Sequence, residues 1–219
     1  MPSIAENLIK IRESLPGHVT LVAVSKTKSV PELMEAYDAG QRIFGENKIQ
    51  EMVDKHTQMP EDIQWHMIGH VQTNKVKYMA EFVSLIHGVE SYKLLKEINK
   101  QAAKHHRVID CLLQVKIAKE ETKFGMTSEE TISLLNSEEF KALTNVRVIG
   151  LMGMASFVSN EEQLSEEFQF LEKLFIDLKE NHPQLQTLST GMSGDYPLAI
   201  THGSTMVRVG SAIFGVRNY

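Results

Sequence analysis

Residues 18–25, HVTLVAVS, are a nearly continuous apolar run that gives way to Lys26-Thr27-Lys28 and then to Ser29-Val30-Pro31-Glu32. A short, valine-rich run without strict alternation is how a strand covered on both faces reads. Ser29 and Glu32 stand three apart, the S/T-x-x-E spacing of a capping box, so a helix starts just where the strand stops. This strand-then-helix beat decides the fold, because it recurs. Further strand-like runs are RIFG (42–45), IQWHMIG (63–69), FVSLIHGV (82–89), VIDCLLQVKI (108–117), VRVIGLMGM (146–154), QTLST (186–190) and MVRVGSAIFG (206–215).

The segments between them carry helix signals. An amphipathic helix spans about Ile4 to Leu15, and Thr127 with Glu130 and Ser159 with Glu162 repeat the capping-box spacing. Gly40 marks one helix end. Asn181-His182-Pro183 ends the clearest helix, in which Leu164, Phe168, Leu171, Leu174 and Leu178 recur at spacings of three and four. Eight strands in 219 residues favour a (β/α)₈ barrel, an α/β fold, over an open doubly wound sheet. No linker or low-complexity tract divides the chain, so residues 1–219 are expected to form a single domain.

Composition narrows the function. Apolar residues make up 42% of the chain, enough for a core without disulfides at a length that hides roughly 70% of the unfolded surface. The 23 basic against 28 acidic residues leave a net charge of −5, which argues against nucleic acid or an anionic membrane as the main partner. The lone cysteine, Cys111, suits a reducing compartment. Glu6, Lys10 and Arg12 interrupt the opening segment, and no window approaches 18 apolar residues, so the expected location is the cytoplasm.

In such barrels chemistry gathers at the C-terminal ends of the strands. Lys26 ends the first strand there. Its amine attacks aldehydes only when the ammonium form is disfavoured, by burial or by a neighbouring cation such as Lys28; the alternative is a solvated loop lysine. Residues 193–215 are a second candidate, with Gly203, Gly210 and Gly215 as punctuation and Gly210-Ser211 inside an apolar run. Glycine there lets backbone N–H groups approach an anion, and Gly191, Met192 and Ser193 after the seventh strand fit a phosphate loop; turns and a kinked last strand are the competing reading. Arg208 lies in an apolar strand, where a cation needs a ligand or carboxylate.

Weaker patterns remain. His66 and His70 have a zinc-like spacing, but no cysteine pair or HExxH pattern accompanies them, so no metal is expected. GQRIFGENK (40–48) fails as a phosphate loop because Glu46 and Asn47 stand where Lys and Ser/Thr belong. Asn47 suits either a pocket or a helix cap. Met152, Met154, Met192 and Met206 read as core or pocket wall, Cys111 as inert, and His105 and His106 as surface.

The blocks VAVSKTK (22–28), FGENKIQE (44–51), WHMIGHVQTNK (65–75), KFGM (123–126), GLMGM (150–154), LSTGMSGD (188–195) and GSTMVRVGSAIFG (203–215) resemble the pyridoxal phosphate homeostasis proteins, single-domain relatives of the alanine racemase barrel. The resemblance implies a fold-type III pyridoxal phosphate barrel with Lys26 as the Schiff-base lysine. It implies phosphate contacts from Ser193 and the Gly210-Ser211 pair, with Ser189 as a further candidate. It also sets Arg208 against the pyridine nitrogen and Asn47 and His66 near the ring. The family form commonly has methionine at position 190 and aspartate at 194, where this chain has Thr190 and Gly194.

An arginine, always charged and donor-only, leaves the pyridine nitrogen unprotonated and weakens the ring as an electron sink. Racemases of this fold also use an acid/base from an added domain and a partner subunit, for which a chain ending at Tyr219 has no room. The expected function is therefore that of a carrier or buffer of pyridoxal 5′-phosphate in vitamin B6 and amino-acid homeostasis, without efficient turnover. Its expected partners are the cofactor and pyridoxal phosphate-dependent apoenzymes, and its expected state is a monomer. The alternatives are a pyridoxal phosphate-dependent amino-acid racemase or lyase, and a phosphosugar-binding barrel in which Lys26 is only a charge.

Overall fold

In the computed structural model, residues 3–118 and 124–215 are described. Lys123 of the KFGM block and Tyr219 lie outside them. Eight parallel strands close into a barrel in chain order: β1 (Thr20–Val24), β2 (Ile43–Glu46), β3 (Gln64–Met67), β4 (Leu85–Val89), β5 (Ile109–Val115), β6 (Val146–Gly153), β7 (Thr187–Met192) and β8 (Met206–Val209). Closure comes from β1 on β8, with Thr20 opposite Met206 and Val22 opposite Arg208.

Helices cover the outside: α1 (Ile4–Ser14), α2 (Val30–Asp38), α3 (Ile49–His56), α4 (Tyr92–Lys104), α5 (Ser128–Asn136), α6 (Glu138–Lys141), α7 (Glu161–Asn181), α8 (Tyr196–Thr201) and α9 (Ser211–Phe214). Between β3 and β4 the crossover is a 3-10 turn, Thr73–Tyr78.

Alternation along the strands sorts the apolar residues into two layers. Val22, Ile68, Leu85, Leu112, Met152 and Met206 fill the interior. A larger layer packs between strands and helices, and the five α7 residues expected to be buried all lie in it. Both capping boxes at Ser29/Glu32 and Thr127/Glu130 form, as does a third at Ser3/Glu6.

Most strand ends move by one to three residues, as where β4 starts at Leu85 and not at Phe82, and two boundaries differ in kind. The final run does not stay extended to residue 215. The strand stops at Val209, Gly210 turns the chain, and Ser211–Phe214 coil into α9. Tertiary packing decides this: Ile213 and Phe214 are buried, and Asn7 Nδ2 of α1 donates to the Ile213 carbonyl at 3.1 Å. The helix of residues 161–181 is capped by Asn160, whose side chain accepts from the Gln163 N–H, in place of Ser159 with Glu162. Asparagine caps as well as serine, and it stands one residue nearer the first turn.

Candidate functional site

A cavity of about 910 Å³ opens at the C-terminal ends of the strands. Of the residues expected in a site, Lys26, Asn47, Met192, Ser193, Arg208, Gly210 and Ser211 line it. Ile68, Met154 and Leu164 supply apolar wall, and Gln114, His70 and Ser156 polar wall. Phe124 and Phe157 stand at the mouth, the latter 73% exposed. His66 and Ser189 are not on the wall; both are buried inside the barrel, below Arg208.

Lys26 stands two residues past the end of β1, on a turn closed by the Lys28 N–H donating to the Ser25 carbonyl at 3.1 Å. The cation read as its neighbour, Lys28, is tied elsewhere: its Nζ donates to the Phe214 carbonyl at 2.8 Å and lies 3.4 Å from Glu32 Oε1. The turn rests on a buried polar cluster. Lys55 Nζ, from α3, donates to the Ser25 carbonyl at 2.8 Å, to Glu46 Oε1 at 2.7 Å and to Glu51 Oε1 at 2.7 Å. Ser25 Oγ donates to Glu46 Oε1 at 2.6 Å, while Glu46 Oε2 has no hydrogen-bond partner among the described residues. Burial raises the Glu46 carboxyl above its ordinary range, opposed by the Lys55 ammonium.

Asn47 directly follows β2 and lines the cavity, and the helix after it is capped at Lys48 without a side-chain bond, so Asn47 does not serve as its cap. Position 69 must be glycine for this end of the barrel to close: a Cβ there would lie 2.5 Å from the Asn47 carbonyl oxygen.

Across the cavity, the loop after β7 meets the start of α9. Ser193 Oγ accepts from the Gly210 N–H at 3.1 Å and from the Ala212 N–H at 3.4 Å. A Cβ on Gly210 would press on Val24, 3.1 Å from its carbonyl oxygen, whereas one on Gly194 meets nothing within 4 Å. In this structure the Ser193 hydroxyl takes up the Gly210 and Ala212 N–H groups, so an anion of phosphate size beside it would meet the hydroxyl's own hydrogen and gain those N–H groups by displacing Oγ.

Between these two walls sits Arg208, buried but reaching the cavity. Its Nη1 donates to Ser189 O at 2.8 Å and Ser189 Oγ at 2.6 Å, and its Nη2 to Gly153 O at 3.0 Å. Burial lowers its pKa to about 10, which leaves it charged at neutral pH. The bonds beyond it have a forced direction. Arginine only donates, so Ser189 Oγ accepts and its one hydrogen turns to His87 Nδ1 at 3.2 Å. His87 then donates from Nε2 to His66 Nδ1 at 3.0 Å. Burial keeps both rings neutral: His66 is lowered to about 3, and His87 falls well below its ordinary value, with further push from His66 and Arg208.

Reading the sequence missed His87, Gln114 and the Lys55 cluster. His87 left a trace, as a polar residue inside FVSLIHGV, the kind of position that needs a buried partner. Lys55 left none, because it lies on a helix full of charges. The two histidines with zinc-like spacing part ways: His66 joins the interior chain, while His70 pairs with Glu90 Oε1 at 3.1 Å and stacks on Phe124. Cys111 is buried in β5, and burial pushes its thiol pKa up. Met152 and Met206 fill the barrel and Met154 and Met192 the cavity wall.

A family profile, alanine racemase N-terminal domain, matches residues 1–218. A pyridoxal phosphate homeostasis protein of Vibrio alginolyticus is 42% identical over 209 residues, covering 93% of this chain and 89% of that one. PipY of Synechococcus elongatus PCC7942 superimposes with a TM-score of 0.90 at 36% identity without PLP, and 0.88 at 35% with PLP bound. Each comparison covers 97% of this chain and 100% of PipY. Alanine racemase of Clostridium difficile 630 shares the fold alone, with a TM-score of 0.80 at 13% identity over 60% of its length. With this barrel and these relatives, the chain belongs to the pyridoxal phosphate homeostasis protein family, on the alanine racemase N-terminal fold.

Proposed function

We propose that this protein binds pyridoxal 5′-phosphate covalently through Lys26 and carries or buffers it in vitamin B6 and amino-acid homeostasis. The observation that carries the reading is a juxtaposition: a lysine, a buried arginine and an anion cradle share one cavity. The relative PipY, 35% identical over its whole length, has a structure with PLP bound.

When bound, the cofactor supplies an aldehyde that condenses reversibly with an amine and releases water. The residues divide the remaining work. Ser193, with the N–H groups around Gly210 and Ser211, holds the phosphate, and Met192 and Asn47 bound the ring's space. Arg208 offers only donors to the ring nitrogen and so leaves it unprotonated, which weakens carbanion chemistry and favours holding over turnover. Ser189 and His66 act one layer below, by fixing Arg208 and the histidine chain behind it.

We propose a monomer acting in the cytoplasm. Among the described residues no helix is long and apolar enough to cross a membrane. Acceptors would be apoenzymes or free amines that draw the aldehyde off.

Borohydride reduction followed by peptide mapping tests the attachment. The expected result is one reduced pyridoxyl group on the Lys26 peptide and, in Lys26→Ala, loss of the visible absorbance band with an unchanged melting temperature. A protein that never gains the cofactor's mass refutes the reading, and a phosphosugar barrel would behave that way.

A further inference from the structure

The turn that carries Lys26 is strained, and the strain is held by groups outside the cavity. Thr27 has φ +66°, in the left-handed region that a β-branched residue rarely enters. Such outliers persist only where their surroundings over-determine them. Here both flanks of Lys26 are gripped. Lys55 Nζ holds the Ser25 carbonyl on one side, and Glu51 Oε1 accepts the Thr27 N–H at 2.5 Å on the other. The two grips are joined, because Lys55 also donates to Glu51 and to Glu46, and its three N–H donors are then all used. Lys55 is buried and Glu46 wholly so. None of the three acts from the cavity wall.

We propose that the Lys55–Glu51–Glu46 cluster is a positioning device for Lys26: it holds residues 25–27 in the one backbone shape that aims the Lys26 amine across the cavity. The inference rests on Lys26 being the attachment point. A relaxed turn, with Thr27 back at negative φ, carries the amine away from the aldehyde's place, and small misplacements of a reacting group lower rates ten- to a hundredfold or so. Glu51 is the informative position, since it is only partly buried and its loss leaves the Lys55–Glu46 pair intact.

The experiment follows pyridoxal phosphate capture by stopped-flow absorbance, with borohydride trapping at Lys26, in wild type, Glu51→Ala and Glu51→Gln. Exchange of the Thr27 amide is read by NMR without cofactor. Glu51→Ala is expected to slow capture roughly tenfold or more and to speed Thr27 exchange. Glu51→Gln keeps an acceptor for the Thr27 N–H and for Lys55 and is expected to restore both. Thr27→Gly in the Glu51→Ala protein recovers part of the rate, because glycine enters positive φ without strain. Capture by Glu51→Ala at the wild-type rate overturns the proposal, as does a Glu51→Gln protein as slow as Glu51→Ala, which would make charge the cause. If wild type itself traps nothing on Lys26, the cofactor reading fails first, an outcome distinct from equal rates in all three proteins.

Discussion

Thr190 shows how one residue can sit badly in a good fold. It stands in β7, is 1% exposed, and among the described residues its Oγ1 has no hydrogen-bond partner. Its neighbour Ser189 points inward to Arg208 and His87, while the Thr190 carbonyl accepts from Ser204 Oγ at 2.8 Å. The backbone is thus satisfied and only the hydroxyl is stranded. A buried hydroxyl without a partner costs about 1–3 kcal/mol. Thr190→Val, which keeps the shape and removes the oxygen, is expected to stabilise the protein by about 1 kcal/mol in urea unfolding. An unchanged or lower midpoint would mean that the hydroxyl is satisfied in solution.

At the level of elements, glycine sets how closely strands approach. β6 carries a register shift against β5 between Cys111 and Leu112, and the residue that resumes pairing is Gly150, opposite Leu112 on one side and Thr187 of β7 on the other. A Cβ at Gly150 would overlap the Thr187 carbonyl oxygen, at 1.8 Å. No rotamer relieves this, since both atoms belong to the framework. Gly150→Ala is expected to destabilise the barrel by several kcal/mol, through strain of the over-packed kind, and denaturant unfolding measures it. A midpoint close to wild type would show that β6 and β7 separate freely. The same economy holds the mouth loop after β6, where Glu167 of α7 accepts from the Ser156 N–H and Oγ, each at 2.7 Å.

For the whole molecule, the interior chain sets a dependence of stability on pH. His66 titrates near 3 in the fold against an ordinary 6.5, and His87 is also well depressed. Below about pH 6.5 the unfolded chain takes up protons that the folded one refuses, so stability falls as the solution is acidified, by up to about 1.4 kcal/mol per pH unit for each histidine. Glu46 acts with the opposite sign: its raised pKa means that the fold keeps a proton longer than the unfolded chain, a contribution lost as pH rises through the folded value. Urea midpoints across the mildly acidic range are expected to drop steeply toward low pH, and a flat profile would show the histidines charged or absent from the interior.

Local pattern and order were legible in the sequence. The eight apolar runs, the capping boxes at Ser29 and Thr127 and the α7 stripe are properties of neighbours within about a turn, so reading along the chain finds them. It also singled out three residues that line one cavity: Lys26 and Ser193 because strand ends in a barrel converge on one face, and Arg208 because a cation in an apolar strand needs a partner. Tertiary structure alone decided the rest. Extension gave way to a helical turn at Ser211 because Ile213 and Phe214 pack against α1. Ser189 and His66 went beneath the cavity because alternating side chains stack in layers inside the ring. The grip on Lys26 joins β1, β2 and α3 at separations of up to 30 residues, and no local spacing records a contact that exists only once the strands have closed.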